Sequence, residues 1–218
     1  MTASGVVPAR ALSLRGQVKA ERTQAILAVA RELFYENGFE QTATLEIAER
    51  AGVGAGTVFK YFPTKDALLF AVMNADLAKV YRRVGESARA ESGLLAQLIA
   101  LFRPVIEFHL SHIALSRVFV RLLVSTAMTE LVEPRADDSP IIATNLAKAF
   151  VAEARARGEL RHDISVTDLA GNCFAIFLDV LNLALVGDPA IPRPYEDLER
   201  RLALQVTPFV STGPKIRD

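Results

Sequence analysis

Apolar residues recur every three or four positions along most of the chain, which is the spacing of one face of an α-helix. In the first such segment, Ile26, Ala30, Leu33 and Phe34 form a single apolar stripe. No segment reads as a convincing β-strand. We therefore predict an all-α fold of about nine helices. They are expected near residues 18–37, twice within 42–65, from 65 to about 84, and at 93–110, 114–131, 139–157, 166–186 and 195–211.

Glycine, proline and short polar stretches separate these segments. Gly38 predicts the end of the first helix, and Gly85 with the polar stretch through Gly93 predicts the end of the fourth near residue 84. Residues 84–93 are therefore a candidate domain boundary. Pro104 falls inside the fifth helix and predicts a kink there, because proline lacks the amide that bonds to the carbonyl four residues earlier.

The segment from residue 42 to residue 65 reads as two short helices joined by a tight turn. Gly52 follows the first of them as a glycine follows a helix end, where it supplies the left-handed conformation that stops the helix. Pro63 ends the second helix, and Thr64 caps the next one. This spacing is that of a helix-turn-helix.

The block from Arg22 to about Met73 resembles the DNA-binding domain of the TetR family of bacterial repressors. The resemblance is carried by Asn37-Gly38-Phe39, by the sequence IAERAGV from residue 47 and by the sequence GTVFKYFPTKDALL from residue 56. It implies an N-terminal three-helix DNA-binding domain and a larger C-terminal helical domain that binds a ligand and dimerises. We assign residues 1–17 to a disordered arm, 18–66 to the DNA-binding domain, 67–212 to the effector-binding and dimerisation domain, and 213–218 to a tail.

The family pattern implies that the third helix enters the major groove of DNA by its N-terminal turn. Thr57 then lies near base edges, where its hydroxyl and methyl groups can both make contacts. Lys60, the long donor of this helix, is expected to contact either a guanine or a phosphate. Tyr61 and Lys65 are expected to hold the DNA backbone. The predicted DNA-binding residues are Thr44, Leu45, Ala55, Gly56, Thr57, Phe59, Lys60, Tyr61 and Lys65.

Several positions depart from the family pattern. Leu45 replaces a residue that is often polar, and Phe59 replaces a frequent tyrosine. Ala43 replaces a frequent threonine cap, so Thr42 or Thr44 is expected to cap the second helix instead. Such a surface is poor in side-chain donors, so shape readout and water-bridged contacts should matter more than usual.

The resemblance also implies that the C-terminal domain has apolar surface beyond that of an ordinary core. Core packing remains the alternative for each of its aromatic residues. His109 and His112 lie three apart but lack the frame of a metal site, so His109 can instead orient a ligand. The predicted ligand-binding residues are Phe102, Ile106, His109, Phe119, Leu122, Met128, Phe150, Phe174 and Phe177.

Two polar features of the same domain have more than one interpretation. Arg117 and Arg121, a helical turn apart, can receive a carboxylate or form a solvated face. Asn172, Asp179 and Asn182 project within a narrow arc of one helix. In relatives the last two helices form a four-helix dimer bundle, so this stripe marks either the dimer seam or a pocket wall.

Composition narrows the class of protein. Lys plus Arg and Asp plus Glu both number 25, so there is no overall basic field. The basic segment from Arg10 to Arg22 either reaches DNA or is a solvated leader. Cys173 is the single cysteine, which excludes an intrachain disulfide and favours buried packing. No signal-peptide core or uninterrupted apolar run of about 18 residues occurs, so we predict a cytoplasmic protein.

No arrangement of serine, histidine and carboxylate indicates catalysis, and we predict neither an enzyme nor a cofactor or metal site. Gly52, Gly54 and Gly56 lack the preceding strand and the spacing of a nucleotide-binding loop. We predict a homodimeric repressor that binds a pseudo-palindromic operator and is released by a small apolar or aromatic effector. The alternative is a helical protein that sequesters small molecules and carries a weak DNA-binding domain. A third interpretation is a related activator or nucleoid-type binder without an effector.

Overall fold

The computed structural model describes residues 14–123, 138–187 and 193–211. Within these ranges the fold is all-α, as predicted, and an isolated antiparallel bridge joins Leu160 to Val210. Met128, residues 1–13 of the predicted arm and the predicted tail lie outside the described residues. The described helices are α1 Leu14–Asn37, α2 Thr44–Arg50, α3 Ala55–Tyr61, α4 Lys65–Arg89, α5 Leu94–Ser111, α6 Ile113–Leu123, α7 Ser139–Ala156, α8 Val166–Val186 and α9 Pro194–Val206, with a 3-10 turn at Thr207–Phe209.

The chain divides into two compact units, residues 1–68 and 69–218. Helix α4 begins in the first unit and continues in the second. Helix α1 starts at Leu14, so residues 14–17, which we expected in the arm, form its first turn. The candidate boundary at 84–93 lies within the second unit.

The core of the first unit is built on the apolar stripe of α1. Ile26, Ala30, Leu33 and Phe34 are fully buried, as the spacing predicts. Helices α2 and α3 close this core from their own buried faces, with Ile47, Ala48 and Val58.

The turn between α2 and α3 has the geometry expected of a helix stopped by glycine. Gly52 has a φ of 67°, in the left-handed region. Its amide donates to the carbonyl of Glu49 at 3.1 Å, and the amide of Val53 donates to the carbonyl of Ala48 at 3.0 Å. These two bonds form a Schellman motif, which satisfies carbonyls at the end of α2 and fixes the direction of the chain into α3.

Capping of α2 differs from the prediction. Its N-cap is Ala43, and no side chain caps it, so neither Thr42 nor Thr44 has that role. The hydroxyl of Thr42 lies instead 2.8 Å from the carbonyl oxygen of Gly38 and 3.1 Å from that of Leu33. Thr42 is buried, and its hydroxyl is used by the C-terminal end of α1. The predicted cap of α4 is confirmed, because the hydroxyl of Thr64 accepts from the amide of Ala67 at 3.0 Å.

Helix α4 does not end near residue 84 but continues to Arg89. Gly85 lies inside the helix, where a Cβ atom would come within 3.0 Å of the Leu146 side chain of α7. The glycine therefore allows close packing between two helices, which local sequence signals cannot distinguish from a helix end.

Helices α5, α7, α8 and α9 form most of the core of the second unit. Helix α5 runs through Pro104 without ending, and the kink predicted there stays a prediction. Helices α5 and α8 have a length and mean hydropathy, 1.3 and 1.9, that would also suit a membrane span. Such values are common in core helices of soluble proteins, and the described structure buries Leu98 and Leu101 of α5 and Val180 and Leu181 of α8.

The last predicted helix, 195–211, is shorter in the structure. Helix α9 ends at Val206, and Pro208 lies in the 3-10 turn that follows. Proline has no amide to continue the helical bonds, so the chain turns away. The amide of Ser211 then donates to the carbonyl of Glu159 at 2.9 Å, which holds this segment beside the loop after α7.

Candidate DNA-binding surface and effector-binding cavity

Helix α3 exposes the face that the sequence assigns to DNA. Val58 is fully buried and anchors the helix, whereas Gly56, Phe59 and Lys60 are exposed. Of the other predicted DNA-binding residues, Leu45 is exposed, and Thr44, Ala55, Thr57, Tyr61 and Lys65 are half-buried. A buried face on one side and an open face on the other is the arrangement that a recognition helix needs.

The cationic side chains near α3 differ in whether they already bind other groups of the protein. Lys60, the only Lys or Arg in α3, forms no ion pair with another described residue. Arg50 is 3.3 Å from Glu32 and 3.2 Å from Glu46. The Nζ of Lys65 donates to the carbonyl of Glu40 at 3.1 Å and lies over the ring of Phe39. An ammonium group has three donors, so Lys65 can still contact a phosphate, but its position is already fixed.

Two large apolar side chains interrupt this polar surface. The Leu45 side chain is 59% exposed and the Phe59 side chain is 50% exposed, so neither is packed in the core. Both occupy positions where the family pattern favours polar residues. Apolar groups on such a face can pack on thymine methyl groups but cannot donate hydrogen bonds.

The second unit contains a small buried cavity between α4, α5, α6, α7 and α8. Its volume is about 10 Å³, which is room for about one water molecule. Four predicted ligand-binding residues line it: His109, Phe119, Phe174 and Phe177. A larger molecule would fit between these described residues only if their side chains moved.

The polar groups of the cavity are buried and uncharged. The Nδ1 of His109 is 3.0 Å from the hydroxyl of Ser116. Burial and, to a smaller extent, the charge of nearby His112 lower the pKa of His109 to about 3. The ring is therefore neutral at physiological pH. Burial also raises the pKa of Tyr81, which lines the same cavity. These groups offer a ligand neutral hydrogen-bond partners within an apolar wall.

Four other predicted ligand-binding residues do not line the cavity. The ring of Phe102 stacks on that of Phe177 with centroids 4.8 Å apart, so it supports the wall from behind. Ile106, Leu122 and Phe150 are buried in the core and are not among the residues that line the cavity. Their assignment to the ligand site stays a prediction.

The predicted ligand-binding residues leave out the other eight residues of the described cavity lining: Leu77, Tyr81, Val120, Leu123, Ser139, Pro140, Leu178 and Leu181. Leu77 and Tyr81 lie four residues apart on α4, so helical spacing placed them on one face. Nothing in the local sequence showed that this face meets α5 and α8. Ser139 is held by Asn74, whose side-chain oxygen accepts from the amide of Ser139 at 2.6 Å.

A wider and more open groove, of about 450 Å³, lies between α6 and α8. Of the polar stripe considered in the sequence, Asp179 and Asn182 line this groove, and Asn172 does not. Asp179 is also 2.7 Å from Arg201 of α9. The groove has the volume of a small-molecule site.

The described residues contain no group of three His, Cys, Asp or Glu side chains placed to hold a metal ion. The Nδ1 of His112 lies 3.0 Å from the carbonyl oxygen of Phe108.

Residues 26–72 match the family described as bacterial regulatory proteins, tetR family. The uncharacterized HTH-type transcriptional regulator YuxN of Bacillus subtilis is 30% identical over 93 residues, which are 40% of this chain and 31% of that protein. The fatty acid metabolism regulator protein of B. subtilis is 30% identical over 96 residues, which are 44% of this chain and 47% of that protein. The chain thus spans less than half the length of these two curated relatives.

The fold extends the likeness beyond the first unit. Thermus thermophilus FadR, a TetR family transcriptional repressor solved with lauroyl-CoA, superimposes with a TM-score of 0.70 and 23% identity. The superposition covers 90% of this chain and 99% of FadR. The match over residues 26–72, together with the helix-turn-helix geometry, identifies the first unit as a DNA-binding domain of the TetR type, and the second unit has the all-helical fold of a TetR family repressor.

Proposed function

We propose that the protein is a cytoplasmic, ligand-responsive transcriptional repressor that binds a pseudo-palindromic operator as a homodimer. A small apolar or aromatic effector would release it from DNA. The observation that carries this proposal is the exposed face of α3, held by buried Val58, within a domain that matches a family of DNA-binding regulators.

DNA recognition would use two recognition helices, one from each subunit, in successive major grooves. Lys60 supports this role because it is exposed and unpaired among the described residues. Gly56, next to the start of α3, has no heavy atom within 4 Å of the position of a Cβ atom, so a DNA backbone or base can approach it closely.

The effector would bind at the cavity of the second unit. Its lining combines Phe119, Phe174 and Phe177 with the neutral ring of His109, which suits an apolar molecule carrying few polar groups. Two similar proteins fit this class by name, since one is a fatty acid metabolism regulator and the other was solved with lauroyl-CoA.

Helix α4 is the element through which ligand binding would act. It contributes Leu77 and Tyr81 to the cavity wall, and its Asn74 holds the first amide of α7. The ligand must prefer one arrangement of the dimer over the other to change DNA affinity. A coupling free energy of about 1–3 kcal/mol would be typical of such a switch.

Dimerisation would use α8 and α9, the last two helices of the chain. Leu204 of α9 is 66% exposed. Exposed side chains of this size favour burial against a second copy. The alternative of a sequestering protein with a weak DNA-binding domain is not favoured, because the family match lies over the DNA-binding domain itself.

In-vitro selection of random duplexes by the purified full-length protein at near-physiological salt tests the proposal. Recovery of a two-fold symmetric motif is expected, with affinity that falls steeply as salt rises. Failure to recover any motif from folded, dimeric protein would contradict it.

A further inference from the structure

The groove between α6 and α8 contains two arginines that have no acidic partner in the described part of the chain. Arg117 and Arg121 line it, and neither forms an ion pair with another described residue. The Nε of Arg117 donates to the carbonyl of Leu185 at 2.7 Å, which leaves both terminal nitrogens of its guanidinium for another partner. The bond also holds the side chain against the wall of the groove.

Among the described residues, no unpaired carboxylate balances the charge of the groove. Like charges four residues apart on a helix repel each other, which is the relation between Arg117 and Arg121. Asp179, the only carboxylate among the described lining residues, is already paired with Arg201, which does not line the groove. A bound anion would therefore meet two cations that no acidic side chain of the described structure neutralises.

The rest of the lining is apolar. Val120, Leu178, Leu185 and Val186 form it, so the groove suits a molecule with an apolar body and a charged end.

The groove and the buried cavity share a wall. Val120 and Leu178 line both spaces, so the two are separated by the thickness of single side chains. Rotation of these two side chains would join the open groove to the aromatic residues of the cavity. The joined space would be polar and cationic at its outer end and apolar at its inner end.

We propose that the groove and the cavity form one two-part site for an amphipathic carboxylate, with the carboxylate on Arg117 and Arg121 and the apolar chain directed between Val120 and Leu178. This inference rests on the proposed effector function and narrows the effector to an anion. It differs from a purely apolar effector, which the cavity alone would accept.

Calorimetric titration of the full-length protein with decanoate and with 1-decanol tests the two-part site. The two probes share an alkyl chain and differ in the charged group. Decanoate should bind about tenfold more tightly than 1-decanol, because charge-assisted bonds to guanidinium are stronger than neutral ones. Arg117→Gln combined with Arg121→Gln should abolish this preference while 1-decanol affinity stays within about twofold.

Arg83→Gln is the matched control, since Arg83 is exposed on α4 and lines neither space. Arg121→Gln alone provides a variant that loses no hydrogen bond within the described structure. Equal affinities for the two probes, or a preference that survives in the double variant, would overturn the proposal. So would the absence of binding by both probes.

A second copy of the chain is the competing occupant of the groove. Sedimentation equilibrium of the double variant decides this, because the two-part site predicts an unchanged dimer. A variant that dissociates would overturn the proposal and assign the groove to the subunit contact. Selection of DNA duplexes tests the proposed repressor function separately. Its failure would contradict that function but would not change the affinities for decanoate and 1-decanol.

Discussion

The two units of this protein place their candidate functional residues in opposite environments. In the first unit, Phe59 and Lys60 project from a short helix and are exposed. In the second unit, Phe177 and His109 are each 2% exposed and lie inside the core. Residues of the first kind contribute little to stability, whereas residues of the second kind contribute to the fold and to the proposed ligand site together.

This difference decides how each unit can vary. An exposed recognition face can change its side chains without disturbing the core behind it. A cavity wall cannot, because each replacement changes the packing of several helices. We therefore expect substitutions in the two units to separate cleanly in their effects on DNA affinity and on the free energy of unfolding.

Replacing phenylalanine by alanine should lower mainly the free energy of unfolding in the second unit and mainly the DNA affinity in the first unit. Phe177→Ala removes a buried ring that stacks on Phe102, and we expect it to lower the free energy of unfolding by about 3–5 kcal/mol. Phe59→Ala removes a half-exposed ring and should lower it by less than about 0.5 kcal/mol, while weakening DNA binding. Urea unfolding and operator titration measure the two quantities.

If Phe177→Ala does not fold, Phe177→Leu can be measured instead. It should lower the free energy of unfolding by less, because the leucine side chain fills more of the volume. Equal losses of stability for Phe177→Ala and Phe59→Ala would show that the two environments do not differ as the structure indicates.

Thr57→Ala and Lys60→Ala test whether the exposed face of α3 contributes to DNA binding. Each is expected to weaken specific binding by about 1–3 kcal/mol without a comparable effect on stability. If Lys60 contacts a phosphate, its loss should weaken binding to all sequences and reduce the salt slope by about one. If it contacts a guanine, the preference at one operator position should relax instead.

Fluorescence anisotropy at several salt concentrations separates these cases. Lys79→Ala is the matched control, because Lys79 is exposed on α4 in the second unit. Unchanged affinity in both DNA-face variants would remove the recognition role from α3.

The pH dependence of stability should report the buried histidine of the second unit. Burial, with a smaller effect of His112, lowers the pKa of His109 from 6.5 to about 3. Below pH 6.5 the unfolded chain takes up a proton that the folded protein refuses, so stability falls as pH falls from about 6.5 towards 3. The contribution is about 1.4 kcal/mol per pH unit, and His109→Gln should remove it.

The free energy of unfolding, measured by urea titration between pH 4 and pH 7, gives this slope. His162→Gln is the control, since His162 is exposed. A slope that is the same in the wild type and His109→Gln would contradict a buried neutral ring.

Features that depend on neighbouring residues could be predicted from the sequence. The left-handed Gly52, the cap by Thr64 and the buried stripe of α1 are all confirmed. Each follows from a spacing of a few residues, because backbone conformation and helical periodicity are local properties. The exposed face of α3 follows from the same periodicity.

Features that depend on long-range packing could not be predicted from the sequence. Thr42 bonds to the end of α1, and Gly85 admits Leu146 of α7, although the local sequence suggested a cap for α2 and the end of α4. The cavity lining has the same origin, since Tyr81 and His109 line one cavity only after α4, α5 and α8 have packed. Helical spacing identifies the apolar faces but not which faces meet.

The single cysteine of the chain lies at the centre of this packed region. Cys173 of α8 is fully buried, and burial raises the pKa of its thiol to about 12. A thiol in this state reacts with alkylating reagents only when the helix around it separates from its neighbours. The native protein thus contains a reporter of its own opening, and the labelling rate of Cys173 would show whether a bound effector tightens the second unit or loosens it.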